Sequence, residues 1–243
     1  MGRNYDWAQD RPVLVLITKP EGQYASISVM DITFLGYSSV NDPMQNPEKL
    51  VETPSWPCDG MNERGLAVSM MAVGQARSAN DPGMPVVSGL GLIRVLLDQA
   101  ATVEEALAIM GKYRVVFGEP PIHYIVTDRS GASAVVEYFK GQMRVFRAER
   151  AWQVSTNFNF SEVPEDARLG ACWRYMLATV RLSKGEGRLD ATGVFGILKA
   201  VSEPRTLYSS SYNLTDATLE LALGRNYTKT YLWRLPDIIA GKD

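Results

Sequence analysis

The chain has 243 residues, 46% of them apolar, enough to bury the core of one sizeable domain. A formal charge of −2 offers no basic patch of the kind that nucleic-acid or membrane-surface binding needs, and no apolar run approaches the length of a bilayer span. Two cysteines are too few for a disulfide framework, so a reducing, cytoplasmic setting is the expectation, one that an export signal upstream of Met1 would overturn.

Residues 13–17 and 25–30 read as strands joined by the turn Lys19-Pro20-Glu21-Gly22, and 33–37 as a third strand. Residues 40–60, rich in Pro, Asn and Asp, read as a long loop, and loops of that length are usually functional. A buried strand is expected over 65–72, then a helix over 88–100 on the spacing of Leu90, Ile93, Leu96 and Leu97. Thr102-Val103-Glu104-Glu105 is a capping box that starts a second helix. Strands follow at 122–128, 133–139 and 142–148, with Asp128-Arg129-Ser130-Gly131 as a turn, and another strand leads into Asn157. Residues 164–183 are predicted as one long helix with Ala171, Tyr175, Leu177 and Val180 on one side, and 190–202 as a further helix. Strands at 206–213, 217–224 and 228–234 finish the chain. Helices in two blocks must cover two separate sheets, which predicts an α+β fold, a four-layer α/β/β/α sandwich, formed by 1–243 as one domain.

A single histidine constrains the chemistry. A Ser–His or Cys–His nucleophile pair would have to use His123, which lies in the apolar strand-like run Ile122-His123-Tyr124-Ile125-Val126, where a strand histidine with a satisfied hydrogen bond is the plainer reading. Cys58, Cys172 and His123 lack the close pairing of zinc ligands, so no metal or cofactor is expected.

The start of the chain reads Gly2-Arg3-Asn4-Tyr5-Asp6-Trp7. Further along come Asp59-Gly60-Met61-Asn62-Glu63-Arg64-Gly65-Leu66-Ala67, then Leu92-Ile93-Arg94-Val95-Leu96-Leu97-Asp98 with Ala101-Thr102-Val103-Glu104-Glu105-Ala106. Tyr124-Ile125-Val126-Thr127-Asp128 leads through Ser130-Gly131 to Val135-Val136-Glu137-Tyr138, followed by Val154-Ser155-Thr156-Asn157 and by closing strands from Tyr208-Ser209 to Gly224-Arg225-Asn226-Tyr227. In this order the segments resemble the choloylglycine hydrolase group of N-terminal-nucleophile amidases, including its peptidase-C45-like branch. In that family the first motif follows a short strand that begins with the catalytic cysteine, and here that strand and cysteine are missing.

The resemblance implies roles for four residues. Asp6 would orient the nucleophile's α-amine, which with an intrinsic pKa near 8 serves as general base without a histidine. Arg3 would place a fixed positive charge beside the thiol. Without the family motif, Arg3 and Asp6 would read as a solvated pair at a frayed terminus. Asn157 would be the oxyanion-hole donor, where the plain alternative is a turn-starting Asn. Arg174, in Cys172-Trp173-Arg174-Tyr175, would close the catalytic network, although Trp173 stands where the family has Ser, and a surface arginine is the alternative. The family's second oxyanion side chain falls at Ala72, so a backbone N–H must replace it, and Phe158 after Asn157 gives an apolar wall.

Cys58, just before Asp59-Gly60, is a tempting substitute nucleophile, but with no nearby base its thiol stays protonated. Cys172 reads as a core residue of an apolar helix. The function implied is hydrolysis of linear C–N amide bonds of small N-acyl compounds through a Cys acyl-enzyme, or acyl transfer where an amine outcompetes water. A catalytically inactive homologue that binds an acyl-amide-like ligand is the other class. Met44, Trp56, Met84, Val86 and Val87 suit either an apolar acyl group or loops packed on the core. No nucleic-acid partner or membrane span is expected, and a homo-oligomer is left open. The missing strand predicts an unfilled sheet edge beside Arg3 and Asp6, with residues 13–17 as the neighbouring strand, relieved by another chain or segment or by disorder of residues 1–10.

Overall fold

The computed structural model describes residues 1–7, 12–39 and 41–242. Thirteen strands form two large sheets and a small one among the described residues. They are β1 Gly2–Asp6, β2 Val13–Thr18, β3 Ser26–Asp31, β4 Asp59–Asn62, β5 Leu66–Ala72, β6 Val86–Ser88, β7 Arg114–Val116, β8 Ile122–Asp128, β9 Ser133–Phe139, β10 Gln142–Arg147, β11 Thr206–Asn213, β12 Thr218–Leu223 and β13 Thr230–Arg234. The helices are α1 Asp42–Gln45, α2 Gly89–Gln99, α3 Val103–Met110, α4 Arg168–Ala171, α5 Trp173–Lys184, α6 Ala191–Ala200 and α7 Leu235–Ile239.

The larger sheet runs β10-β9-β8-β5-β4-β3-β2 and the other β1-β11-β12-β13, both antiparallel throughout. Helices α2 and α3 pack on the first sheet, and α6, with α5 against it, packs on the second, which gives the expected four layers. Strand alternation explains how the layers are held. On β4, Asp59 and Met61 face the second sheet, whereas Gly60 and Asn62 face α2. A Cβ on Gly60 would lie 2.7 Å from the Ile27 carbonyl and 2.9 Å from Leu97, so only glycine lets α2 approach this closely. Asn62 then donates to the carbonyls of Leu97 and Ala100, groups that the end of α2 leaves without helical partners. The core between the sheets includes Tyr5, Tyr208, Leu219 and Met61, while Val68, paired with Gly60, and Tyr124, whose hydroxyl donates to the Gly89 carbonyl at 2.8 Å, face α2.

Several expectations are corrected. Residues 33–37 are not a strand: Ile32–Leu35 is a 3-10 turn, because the Asp31 side chain accepts from the Thr33 amide at 2.9 Å and Gly36 closes the turn at φ 79°. Within 40–60, of which Val40 lies outside the described residues, the chain forms α1, a 3-10 stretch at Pro47–Ser55 and β4. No ladder strand leads into Asn157. The long helix over 164–183 is interrupted, since Cys172 is extended (φ −153°, ψ 126°) between α4 and α5, and Ala171 and Val180 of its predicted inner face are exposed. Strand β2 belongs to the larger sheet, paired with β3, and is no neighbour of β1. The unfilled edge is there: β1 pairs with β11 alone among the described residues. Gly2–Asp6 is nevertheless an ordered strand, and residues 8–11, on which the expected disorder partly falls, lie outside the described residues.

Candidate active site at the free edge of strand β1

On β1 alternate side chains take opposite directions. Arg3 and Tyr5 are buried between the sheets, while Gly2 and Asn4 meet α6, Asn4 donating to the Leu198 carbonyl at 2.8 Å. At Asp6 the register with β11 slips, and the carboxylate swings to the end of the sheet. There Thr206 donates its hydroxyl to one carboxylate oxygen, and Arg174 Nη1 donates to the other at 2.9 Å. Arg174 sits in the first turn of α5, so the break at Cys172 aims it at β1.

Arg174 Nη2 donates to Asn157 Oδ1 at 2.8 Å, and its Nε lies 3.5 Å from Glu203. A guanidinium only donates, so the contact fixes the Asn157 amide with its Nδ2 turned to the Ala72 carbonyl, 2.9 Å away. One N–H of that amide is used, and the other is left for a ligand. Asp6, Arg174, Asn157 and Ala72 thus form one connected row, from residues far apart in the sequence.

The segment carrying Asn157 has no strand partner among the described residues, and it is pinned by side chains of β8 and β9. His123 Nε2 contacts the Thr156 carbonyl at 2.9 Å and its Nδ1 lies 3.2 Å from Glu137. Glu137 also accepts the amides of Phe160 at 2.5 Å and Ser161 at 3.0 Å. Burial alone would raise the Glu137 carboxyl, but these hydrogen bonds outweigh it and hold the group below the usual carboxylate range. Ser155 Oγ lies 3.2 Å from His123 Nε2, which with Glu137 looks like a Ser–His–carboxylate relay. The Thr156 carbonyl can only accept, so Nε2 donates there and is not free to take the serine proton. His123 is therefore a satisfied strand histidine, as the plainer reading held.

Arg3 is placed apart from this row. It donates to the Cys58 carbonyl at 2.8 Å and pairs with the fully buried Asp59, which also receives the hydroxyls of Tyr208 (2.5 Å) and Tyr212. Burial opposes the Arg3 charge, but Tyr208 and Asp59 raise its pKa beyond the ordinary arginine value. Its Nε has no hydrogen-bond partner among the described residues, and the side chain borders the cavity described below.

A cavity of about 860 Å³ runs along the free edge of β1 and is bordered by Arg3, Asp6, Ala72, Asn157 and Arg174. Its apolar walls include Phe34, Trp56, Met70 and Phe117, and its floor includes Val194 and Leu198 of α6. A second, more open cavity of about 690 Å³ lies across the same row and is bordered by Glu203, Pro204 and Arg205. Of the loop residues expected to face an acyl group, Trp56 borders the cavity, whereas Met44 and Val86 point to solvent, Val87 packs on the core and Met84 borders neither cavity. Phe158 is no wall of the cavity; it stacks on Phe160 at 5.4 Å and meets Tyr175 edge-on at 5.3 Å.

Neither cysteine borders either cavity. Cys58 is sealed, and burial pushes its thiol up to about 12. Cys172 is not a core residue of a helix but the N-cap of α5, half-buried. Burial raises its thiol, yet the polar groups around it, the amides of Tyr175 and Arg174, Thr156 and the Arg174 charge, outweigh that and leave it below the ordinary value. Thr206 and Glu203 carried no signal in the sequence, because their partners lie on other elements.

A model of the family described as linear amide C–N hydrolases, choloylglycine hydrolase family, matches residues 1–161. The chain is 25% identical over 177 residues to a penicillin V acylase of Pectobacterium atrosepticum, an alignment covering 64% of this chain and 44% of that protein, so less than half the length of that relative is matched. Among solved structures it resembles penicillin V acylase from Agrobacterium tumefaciens, with a TM-score of 0.74 and 19% identity over 97% of this chain and 82% of the other. Conjugated bile acid hydrolase from Clostridium perfringens superimposes with a TM-score of 0.70 and 15% identity, covering 97% and 88% of the two chains. These likenesses show a shared N-terminal-nucleophile hydrolase fold. With the matched region running from the β1 motif through Asn157, the chain belongs to the choloylglycine hydrolase family of linear amide C–N hydrolases.

Proposed function

We propose that this site hydrolyses the amide C–N bond of small N-acyl compounds by way of a cysteine acyl-enzyme, the thiol being delivered by a strand that pairs with the free edge of β1. The observation that carries the reading is the row Asp6–Arg174–Asn157 at that edge, facing the larger cavity. A strand laid along β1 would find ladder groups to pair with and would cover the apolar face of α6. In this reading Asp6 holds the α-amine of the incoming residue, and that amine takes the thiol proton and later activates water. Asn157 donates its free N–H to the tetrahedral oxygen, with a backbone amide as second donor because Ala72 has none to offer. Arg3 adds positive charge on the cavity wall. The apolar walls suit the acyl group, and an amine reaching the acyl-enzyme before water would turn hydrolysis into acyl transfer.

The test uses the full chain extended by a Cys-led strand, assayed on a panel of N-acyl amides. Activity should appear with the extension and be absent when its Cys is Ser. Asn157→Ala in the extended protein should lower kcat by about 10²–10³-fold with little change in KM, the mark of a contact made in the transition state. An extended protein that folds, binds an acyl amide and never turns it over would instead favour an inactive homologue. Turnover by the unextended chain that Cys58→Ser abolishes would place the nucleophile elsewhere.

A further inference from the structure

Two stretches of backbone face each other across the larger cavity without pairing. Residues 1–7 and 151–157 border it along their whole lengths. One edge of β1 is taken by β11, where Met1 and Tyr212 exchange backbone hydrogen bonds of 2.8 Å. Antiparallel alternation then turns the N–H and C=O groups of Gly2 and Asn4 to the other edge, into the cavity. On the far side the amides of residues 151–157 donate to nothing among the described residues, and only the Thr156 carbonyl is contacted. Residues 152–156 are half-buried, and so long an unpaired run inside a fold is rare.

The two runs also point the same way. Arg174 ties Asp6 to Asn157 at one end. At the other, Gln153 meets Ser133 at 2.7 Å, just past a turn whose Arg129 lies against Gly65 together with the Leu214 carbonyl, near the Met1–Tyr212 pair. Strands that flank a third lie about 9.6 Å apart, too far to bond directly, and the Asp6–Asn157 link does run through a guanidinium. The walls above and below are apolar, with Met71 and Ile125 on the larger sheet and Val194 and Leu198 on α6. Apolar walls on both faces and unpaired backbone on both edges are what a buried central strand needs.

We propose that this slot takes an extended peptide supplied in trans, antiparallel to both runs, with its free α-amine between Asp6 and Asn157. Residues 151–157 then become a strand, and one sheet runs from them through the peptide to β1. Asp6 receives one donor on each carboxylate oxygen, so it has lone pairs left for an α-ammonium and repels a terminal carboxylate, which sets the direction. Both edges, both walls and the Asp6–Arg174–Asn157 row are in place without the peptide, so it docks into a formed site. Only a Cys at the first position of the peptide rests on the amidase reading.

The probe is the peptide Ala-Thr-Val-Ile-Val-Thr-Val-Lys-Lys, which has no nucleophile at its first position, titrated into the full chain by isothermal calorimetry. It should bind with a Kd of about 10 μM, and acetylating its amine should weaken it about tenfold. Asp6→Asn, with its far-UV circular dichroism retained, should weaken the free peptide similarly and leave the acetylated one unchanged. A strand paired on both sides uses every N–H, so N-methylation at each central position should weaken binding, not only at alternate ones. Hydrogen exchange should slow within residues 152–157 as well as at Gly2 and Asn4. Absence of binding at about 1 mM overturns the proposal, as does an acetylated peptide that binds equally well. So does protection confined to β1 with alternate N-methyl positions tolerated, which would mean pairing with a single edge. If the Ala-led peptide binds as described and its Cys-led counterpart turns over no acyl amide, the slot stands and the amidase reading falls.

Discussion

The two cysteines are separated by environment more than by sequence. Cys58 lies between charged and apolar groups with no route to solvent, and its burial pushes the thiol up to about 12, so at neutral pH it carries almost no thiolate. Cys172 is half-buried at the start of α5, where two backbone amides and Thr156 favour the anion. Iodoacetamide at pH 7.5 should therefore label Cys172 and leave Cys58 unmodified until the protein is unfolded. Lowering the pH should slow the Cys172 reaction later than it slows a free thiol, whose pKa is about 8.5. Peptide mapping by mass spectrometry reads both, and labelling of Cys58 in the native protein would contradict this account of the core. Reaction at Cys172 is a matter of its accessibility and charge and is separate from the amide chemistry, because its side chain borders neither cavity.

At the scale of elements, the segment around Asn157 is held by hydrogen bonds from side chains where a strand would use its backbone. Glu137 accepts the Phe160 and Ser161 amides and contacts His123, which holds the Thr156 carbonyl. Glu137→Ala should cost about 3–5 kcal/mol in urea unfolding, because it strands a buried imidazole and two amides. A carboxyl held below its ordinary range adds stability that is complete above the unfolded-state value of about 4.3 and fades as the pH falls through its folded value. The parent protein should thus lose stability more steeply below pH 4.3 than Glu137→Gln does; equal slopes would mean that the carboxylate contributes nothing. This segment also shows what the sequence did and did not make legible. Alternation and capping placed β8, β9 and α3 because those signals are local: Thr102 does accept the Glu105 amide at 3.2 Å. The 153–157 run alternates like a strand, but its hydrogen bonds go to side chains of distant strands, a choice no local pattern encodes. The same holds for the break at Cys172: the helical spacing continues through it, and only the placement of Arg174 against Asp6 and Asn157 makes sense of the interruption. Asp6, Asn157 and Arg174 were legible as candidate site residues through motifs that resemble the family's, whereas Thr206 and Glu203 meet them only through the fold.

For the molecule as a whole, the two sheets are joined by a buried polar knot as well as by their apolar faces. Arg3 reaches from the four-stranded sheet to Asp59 on the seven-stranded one, and Tyr208 and Tyr212 return from the first sheet to the same carboxylate. Every partner is buried, so the cluster adds to stability only while it is complete. Its members are not equivalent. Arg3→Met removes the cation but leaves Asp59 two phenol donors, and the cavity beside Arg3 gives the new side chain room. Asp59→Asn leaves the guanidinium charged and without its carboxylate between the sheets and sets amide hydrogens against one of the two phenols, which donate to different carboxylate oxygens. Both should destabilise the fold, Asp59→Asn by about 3–5 kcal/mol and Arg3→Met by less. The double variant should cost less than the sum of the two, since removing the cation relieves what Asp59→Asn leaves unpaired. Urea unfolding followed by tyrosine fluorescence and by far-UV circular dichroism measures all three, and the two probes should give one transition, because the knot couples both sheets. Additive effects of the two substitutions, or separate transitions for the two probes in the parent protein, would show that the sheets are held by their apolar contact alone.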